Sequence, residues 1–181
     1  TDKLIASATL AAQGDESYKE QLSRMEARHL EAVQQLIPIA RQSGVLSAVK
    51  KQCNEIEDVC NGVFLLKELS VRTRDWLVSY GELLSSQIIS AALQSDGVDN
   101  TWKDARALIR TDAGFGNARL DREVTIDQVQ SYFNGSAHNL FVIPGFIAAG
   151  PGNVTTTLGR GGSDYTAAII AAVMQASKLQ I

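Results

Sequence analysis

Apolar positions follow a helical period through the first half of the chain. From Glu16 to about Ile37, Leu22, Met25, Leu30, Val33 and Leu36 recur at helical spacing, which predicts a long amphipathic helix. Before it, Lys3–Leu10 predicts a helix capped by Thr1 or Asp2, and Gln13-Gly14-Asp15 breaks it. Pro38 and Gly44 are expected to interrupt or bend the pattern. A third helix is predicted from about Val45 to Leu66, with Val49, Cys53, Ile56, Cys60 and Val63 on one face. A fourth is predicted from about Ser70 to Leu93. No convincing strand occurs before Ser95.

The pattern changes after Ser95-Asp96-Gly97. Val98–Trp102 predicts a short strand, Asp104–Ile109 a short helix or turn, and Leu108–Thr111 a second strand. Ala113–Asn117 is a loop, and Thr125–Tyr132 a helix with Thr125 or Asp127 near its start. Asn139–Ala148 is apolar on both faces, as in a strand of a parallel sheet covered by helices. Gly150–Asn153 is a turn, Val154–Leu158 a strand, and Tyr165–Lys178 the final helix. The expected class is α/β with a parallel core: a single domain, mainly helical over 1–95 and α/β over 96–181.

Composition narrows this picture. The 181 residues are 45% hydrophobic and 20% charged, as in a soluble globular domain. A net charge of −3 argues against a nucleic-acid or anionic-membrane surface. No apolar run approaches the ~20 residues that cross a bilayer. Cys53 and Cys60 lie on one helix face, where no disulfide geometry is available. Without a Cys-x-x-Cys pair, and with only His29 and His138, no zinc site is expected. Buried reduced thiols in a cytoplasmic protein are expected instead.

Candidate chemistry concentrates in Thr155-Thr156-Thr157-Leu158-Gly159-Arg160-Gly161-Gly162-Ser163-Asp164. A threonine strand runs into a glycine turn carrying one arginine, and Ser163 or Asp164 can cap the helix that follows. Glycine lets the backbone approach a ligand, and the helix start directs N–H groups at an anion. The Arg160 guanidinium adds a planar fork suited to carboxylate or phosphate. A tight connection with no ligand is the simpler alternative. A second candidate is Glu82, in Tyr80-Gly81-Glu82-Leu83-Leu84-Ser85 within an otherwise apolar helix. It is either an exposed carboxylate beside a core stripe or a partner for a ligand ammonium.

The string Thr155–Asp164 resembles the signature of the aspartokinases, members of the amino-acid kinase superfamily that phosphorylate the side-chain carboxylate of aspartate. Gly81-Glu82-Leu83-Leu84-Ser85 resembles a second motif, and Thr1-Asp2 the tail of a third, a Gly-Gly-x-Thr-Asp/Asn turn opening a helix. Trp102–Arg106 and Ile109–Asp112 also look like the family, and the kinase parts of bifunctional aspartokinase–homoserine dehydrogenases are similar. Nothing of a dehydrogenase is present. The loop Ala149–Asn153 departs from the family's polar hairpin, which should affect a surface turn.

The resemblance implies a carbamate kinase-like three-layer αβα fold with a mostly parallel sheet, here truncated, with a long helical N-terminal half. It implies that Arg160 forks the α-carboxylate of L-aspartate, that Glu82 holds its ammonium, and that Thr1, Ser163 and Phe146 contact it. Backbone N–H groups at Gly161 and Gly162 would face phosphate. Asp164 would serve catalysis by organising lysines. The substrate β-carboxylate is already ionised at neutral pH, so it attacks the γ-phosphoryl group without a general base. MgATP is the implied co-substrate, and a homo-oligomer is implied for the full-length enzyme.

The family's phosphate-contacting lysines fall in segments not found here, and Lys3, Lys103 and Lys178 match none of them. The expectation is a fragment of a longer enzyme that keeps much of the aspartate side. Alone it would bind MgATP poorly and turn over little or not at all. A non-catalytic acidic amino-acid or anion binding module is the alternative, and an interaction protein built on the helical half is a third.

Overall fold

The computed structural model describes residues 1–181. They form two compact units, Thr1–Asn100 and Thr101–Ile181.

The first unit contains α1 (Asp2–Ala12), α2 (Ser17–Leu36), α3 (Ile39–Leu66) and α4 (Val71–Ser95). Each helix contributes one apolar stripe to a shared core: Leu4 and Ala8, Leu22 and Val33, Ile56 and Cys60, Leu77 and Leu84. Burying each of the leucine, isoleucine and valine side chains contributes about 1.5–3 kcal/mol. Pro38 sits just before α3, where its missing N–H costs nothing. Gly44 does not interrupt α3, contrary to expectation; a Cβ there would meet open space, so the helix simply runs through it. Ser70 caps α4 by accepting the Thr73 N–H at 3.1 Å.

Most polar groups that this packing buries are paired, Gln52 Oε1 on α3 being an exception. Tyr80 Oη donates to Glu55 Oε2 at 2.6 Å. Asn100 closes the unit: its Oδ1 accepts from Ser90 Oγ at 2.6 Å, and its Nδ2 donates to the carbonyls of Ser90 and Val98. Cys53 and Cys60 are buried free thiols on the α3 core face, and desolvation pushes both up to about 11.

The second unit is built on short strands. β1 (Thr101–Trp102) pairs in parallel with β2 (Phe141–Val142), and β3 (Ile147–Ala149) pairs antiparallel with β4 (Thr155–Thr157). α5 (Arg122–Asn134) and α6 (Gly162–Val173) complete it. The expected strand Asn139–Ala148 is broken in two. Pro144 has no N–H to give a ladder, and Phe146 adopts φ 69°, outside extended geometry. β3 then turns back on β4 through Pro151–Asn153, which is exposed as expected for a surface turn. Leu108–Thr111 forms no named strand but makes a parallel bridge from Arg110 to Ala149 and an antiparallel one from Thr111 to Leu120.

α5 begins earlier than expected. Asp121 is its cap, accepting the Val124 N–H at 3.2 Å, so Thr125 and Asp127 lie inside it. Thr125 is buried, and its hydroxyl is satisfied there by accepting the Arg110 N–H at 3.0 Å. The final helix ends at Val173 rather than Lys178, and Gln175 at φ 50° turns the chain out of helical geometry. No helix is long and apolar enough to cross a membrane.

Candidate functional site

The turn between β4 and α6 is shaped by its neighbours. Thr155–Thr157 are all buried; Thr156 Oγ1 lies 2.7 Å from Thr111 Oγ1, and Thr155 Oγ1 accepts from Arg106 Nη1 at 3.1 Å. Arg106 is itself held by Asp104 at 2.7 Å, a partly buried pair that also bonds through Nε. Two residues of the resembling segment Trp102–Arg106 therefore fix the strand that delivers the glycine turn.

Gly159 and Gly161 both adopt left-handed backbone, φ 77° and φ 73°, a region that favours glycine. At Gly159 space is closed as well, since a Cβ would lie 2.5 Å from Asn117 Oδ1. Arg160 stands between the two glycines, exposed, with no ion pair or hydrogen bond. Neither Ser163 nor Asp164 caps α6. The cap position is Gly161, with no side-chain hydrogen bond, and both residues lie in the exposed first turn. The cap falls earlier because the left-handed Gly161 ends the turn. Its carbonyl already accepts the Tyr165 N–H at 3.0 Å.

One expected anion donor is engaged elsewhere. The Gly162 N–H closes the turn onto the Gly159 carbonyl at 3.0 Å, so it does not point outward as a free phosphate donor. Gly162 serves close packing instead: a Cβ there would fall 2.9 Å from Phe146 Cδ2 and 3.1 Å from Phe146 Cα. Gly145 packs similarly, with a Cβ reaching to 2.7 Å from Ser163 Cα. Phe146, Ser163, Gly145 and Gly162 thus belong to one seam in the second unit.

In the first unit, Thr1 and Glu82 meet. Thr1 Oγ1 donates to Glu82 Oε1 at 3.3 Å, and Glu82 is half-buried on α4. Gly81 permits the approach, since a Cβ there would sit 3.3 Å from the Thr1 nitrogen. A cleft of about 570 Å³ opens beside Thr1, lined in part by Lys3, Arg28, His29 and Ser85. Sequence reasoning missed Arg28 and His29, because charges on an amphipathic helix read as a solvated face. It also missed Asn117 and Thr166; the i+4 spacing of Thr166 from Gly162 was the available signal. No group of three or more His, Cys, Asp and Glu side chains gathers to hold a metal.

The profile of the amino acid kinase family matches residues 4–181. Bifunctional aspartokinase/homoserine dehydrogenase 1 of Arabidopsis thaliana is 28% identical over the whole chain, which covers 20% of that protein. Lysine-sensitive aspartokinase 3 of Escherichia coli is 37% identical over 70% of the chain and 30% of its own length. Among solved structures, E. coli aspartokinase III in complex with aspartate and ADP superposes with a TM-score of 0.84 at 27% identity, covering 97% of this chain and 39% of that one. The same enzyme in complex with lysine and aspartate matches equally, at 28% identity.

The chain belongs to the amino acid kinase family. Its curated relatives are aspartokinases, alone or fused to homoserine dehydrogenase, and its fold is that of aspartokinase III. It spans about a fifth of the length of the first curated relatives it matches.

Proposed function

We propose that residues 1–181 carry the aspartate-recognising part of an aspartate kinase, within a single amino-acid kinase domain. The reaction transfers the γ-phosphoryl group of ATP to the β-carboxylate of L-aspartate and gives 4-phospho-L-aspartate, the first step toward lysine, threonine and methionine. The observation that carries this reading is Arg160: an exposed, unpaired guanidinium between two left-handed glycines at a helix start.

Arg160 takes the substrate α-carboxylate bidentately. Glu82, already oriented by the Thr1 hydroxyl, takes the ammonium. Thr1, Ser163 and Phe146 complete the contacts. Recognition of the α-carboxylate and of the ammonium selects a free α-amino acid and leaves its side-chain carboxylate to attack in line. The nucleophile is ionised at neutral pH, so the protein's task is alignment and offsetting the repulsion of two anions. The Gly161 N–H and the first turn of α6, where Ser163 and Asp164 N–H groups lack backbone acceptors, favour anionic charge. Asp164 acts on catalysis by orienting cations rather than by touching phosphate.

ATP enters with Mg²⁺ as co-substrate, a reading supported by the ADP complex of the E. coli neighbour. The longer enzyme is read as a cytoplasmic homo-oligomer. An ATP-dependent hydroxamate assay tests the reading: the full-length enzyme forms aspartyl hydroxamate, and the 181 residues alone form little or none. A full-length enzyme inert toward aspartate would contradict it.

A further inference from the structure

Thr166 lies one turn into α6, four residues after Gly162, and is 3% exposed. Its hydroxyl is used twice. It accepts the Phe146 N–H at 3.1 Å and donates to the Gly162 carbonyl at 2.9 Å. The second bond is local to the helix, whereas the first crosses to the residue that enters β3.

That residue needs holding. Phe146 is not glycine, yet it sits at φ 69°, a conformation that costs an ordinary side chain on the order of 1–3 kcal/mol unless its surroundings fix it. Two backbone bonds fix it here. Its N–H goes to Thr166, and its carbonyl accepts the Leu158 N–H at 2.9 Å. Those partners flank the Gly159–Ser163 turn, one on each side. The seam they close is tight: Gly162 leaves no room for a Cβ against Phe146, nor Gly145 against Ser163.

We propose that Thr166 is a positioning residue for the aspartate pocket: its hydroxyl fastens the left-handed Phe146 backbone to the first turn of α6 and so sets Phe146 and Ser163 in one geometry. This rests on the proposed aspartate-binding role. It adds a residue that never touches substrate and acts through two that do. Valine fills the same volume without the hydroxyl and leaves the Phe146 N–H without an acceptor. Serine keeps the hydroxyl and loses only a methyl group.

Two readouts on the 181-residue protein test this. The first is hydrogen exchange at the Phe146 amide, which needs no ligand. In the wild type and Thr166→Ser it is protected; in Thr166→Val it exchanges at least tenfold faster, while amides in the first unit are unchanged. The second is L-aspartate titration by calorimetry. Thr166→Val binds about tenfold more weakly, and Thr166→Ser stays within threefold of wild type. Equal protection of Phe146 in Thr166→Val, or unchanged affinity in that variant, overturns the proposal. If Thr166→Val does not fold, Thr166→Ala removes the same hydroxyl, and a Phe146 amide as protected there as in the wild type overturns it. A wild-type chain with a protected Phe146 amide but no aspartate binding contradicts the proposed function while leaving the clamp itself in place.

Discussion

The Thr1 hydroxyl donates to the Glu82 carboxylate at 3.3 Å, joining the start of α1 to the middle of α4 across 81 positions of sequence. A half-buried carboxylate on an apolar helix is thereby oriented by a neutral donor. The remaining Glu82 acceptor capacity is open to a ligand cation.

Glu82→Gln should separate these roles. Glutamine still accepts from Thr1, so the melting temperature should stay within about 2 °C, the size of a sub-kcal/mol change. Removing the charge should weaken L-aspartate binding by roughly tenfold to a hundredfold, the range of a charged hydrogen bond. Calorimetric titration beside a melting curve measures both. Unchanged affinity would remove Glu82 from the site.

Arg160 is exposed and carries no intramolecular partner. Arg160→Ala should therefore leave stability within about 0.5 kcal/mol, as for other surface changes. Aspartate affinity should fall at least tenfold. Lysine should recover only part of it, because an ammonium cannot reproduce the planar fork. A denaturant melt and a titration on the same three proteins decide the matter.

Gly159→Ala should behave in the opposite way. It adds a Cβ at φ 77° and drives it to 2.5 Å from Asn117 Oδ1. Destabilisation of about 1–3 kcal/mol is expected, together with loss of binding, because strain and overpacking act together. Asn117→Ala should relieve part of the stability loss in the double variant, and urea unfolding of the four proteins forms the cycle that shows it.

The two thiols give a pH prediction. Burial raises Cys53 and Cys60 to about 11 in the folded chain, above the ordinary thiol value. A raised thiol value means that folding favours the neutral form. Their contribution is complete below about pH 8.5 and is lost as pH climbs from there toward 11. Native protein at pH 8 should resist alkylation by iodoacetamide, and urea-unfolded protein should react at both sites. Mass spectrometry counts the adducts.

Much of the helical half was legible, because α2 and α3 keep their apolar residues on one face and tolerate little else there. Gly44 misled for a physical reason: glycine lowers helix propensity, but twenty-eight residues of packed helix override one weak position. The strands were harder to read. Asn139–Ala148 has the composition of a buried strand, and only the backbone shows that Pro144 and the left-handed Phe146 divide it. At the site, Arg160 and the glycines followed from residue type. The inward turn of the Gly162 N–H did not, since it depends on how the Gly159 carbonyl is presented. Thr166 was hidden because its role is a bond to a residue twenty positions away.

Isothermal titration of the 181-residue protein with L-aspartate, succinate and D-aspartate tests the central claim most directly. Succinate lacks the ammonium that Glu82 should hold, and D-aspartate presents it from the wrong side. Saturable binding of L-aspartate at one site, at least tenfold tighter than either analogue and lost in Arg160→Ala, is the predicted result. Equal binding of all three ligands, or L-aspartate binding that survives Arg160→Ala, would contradict it.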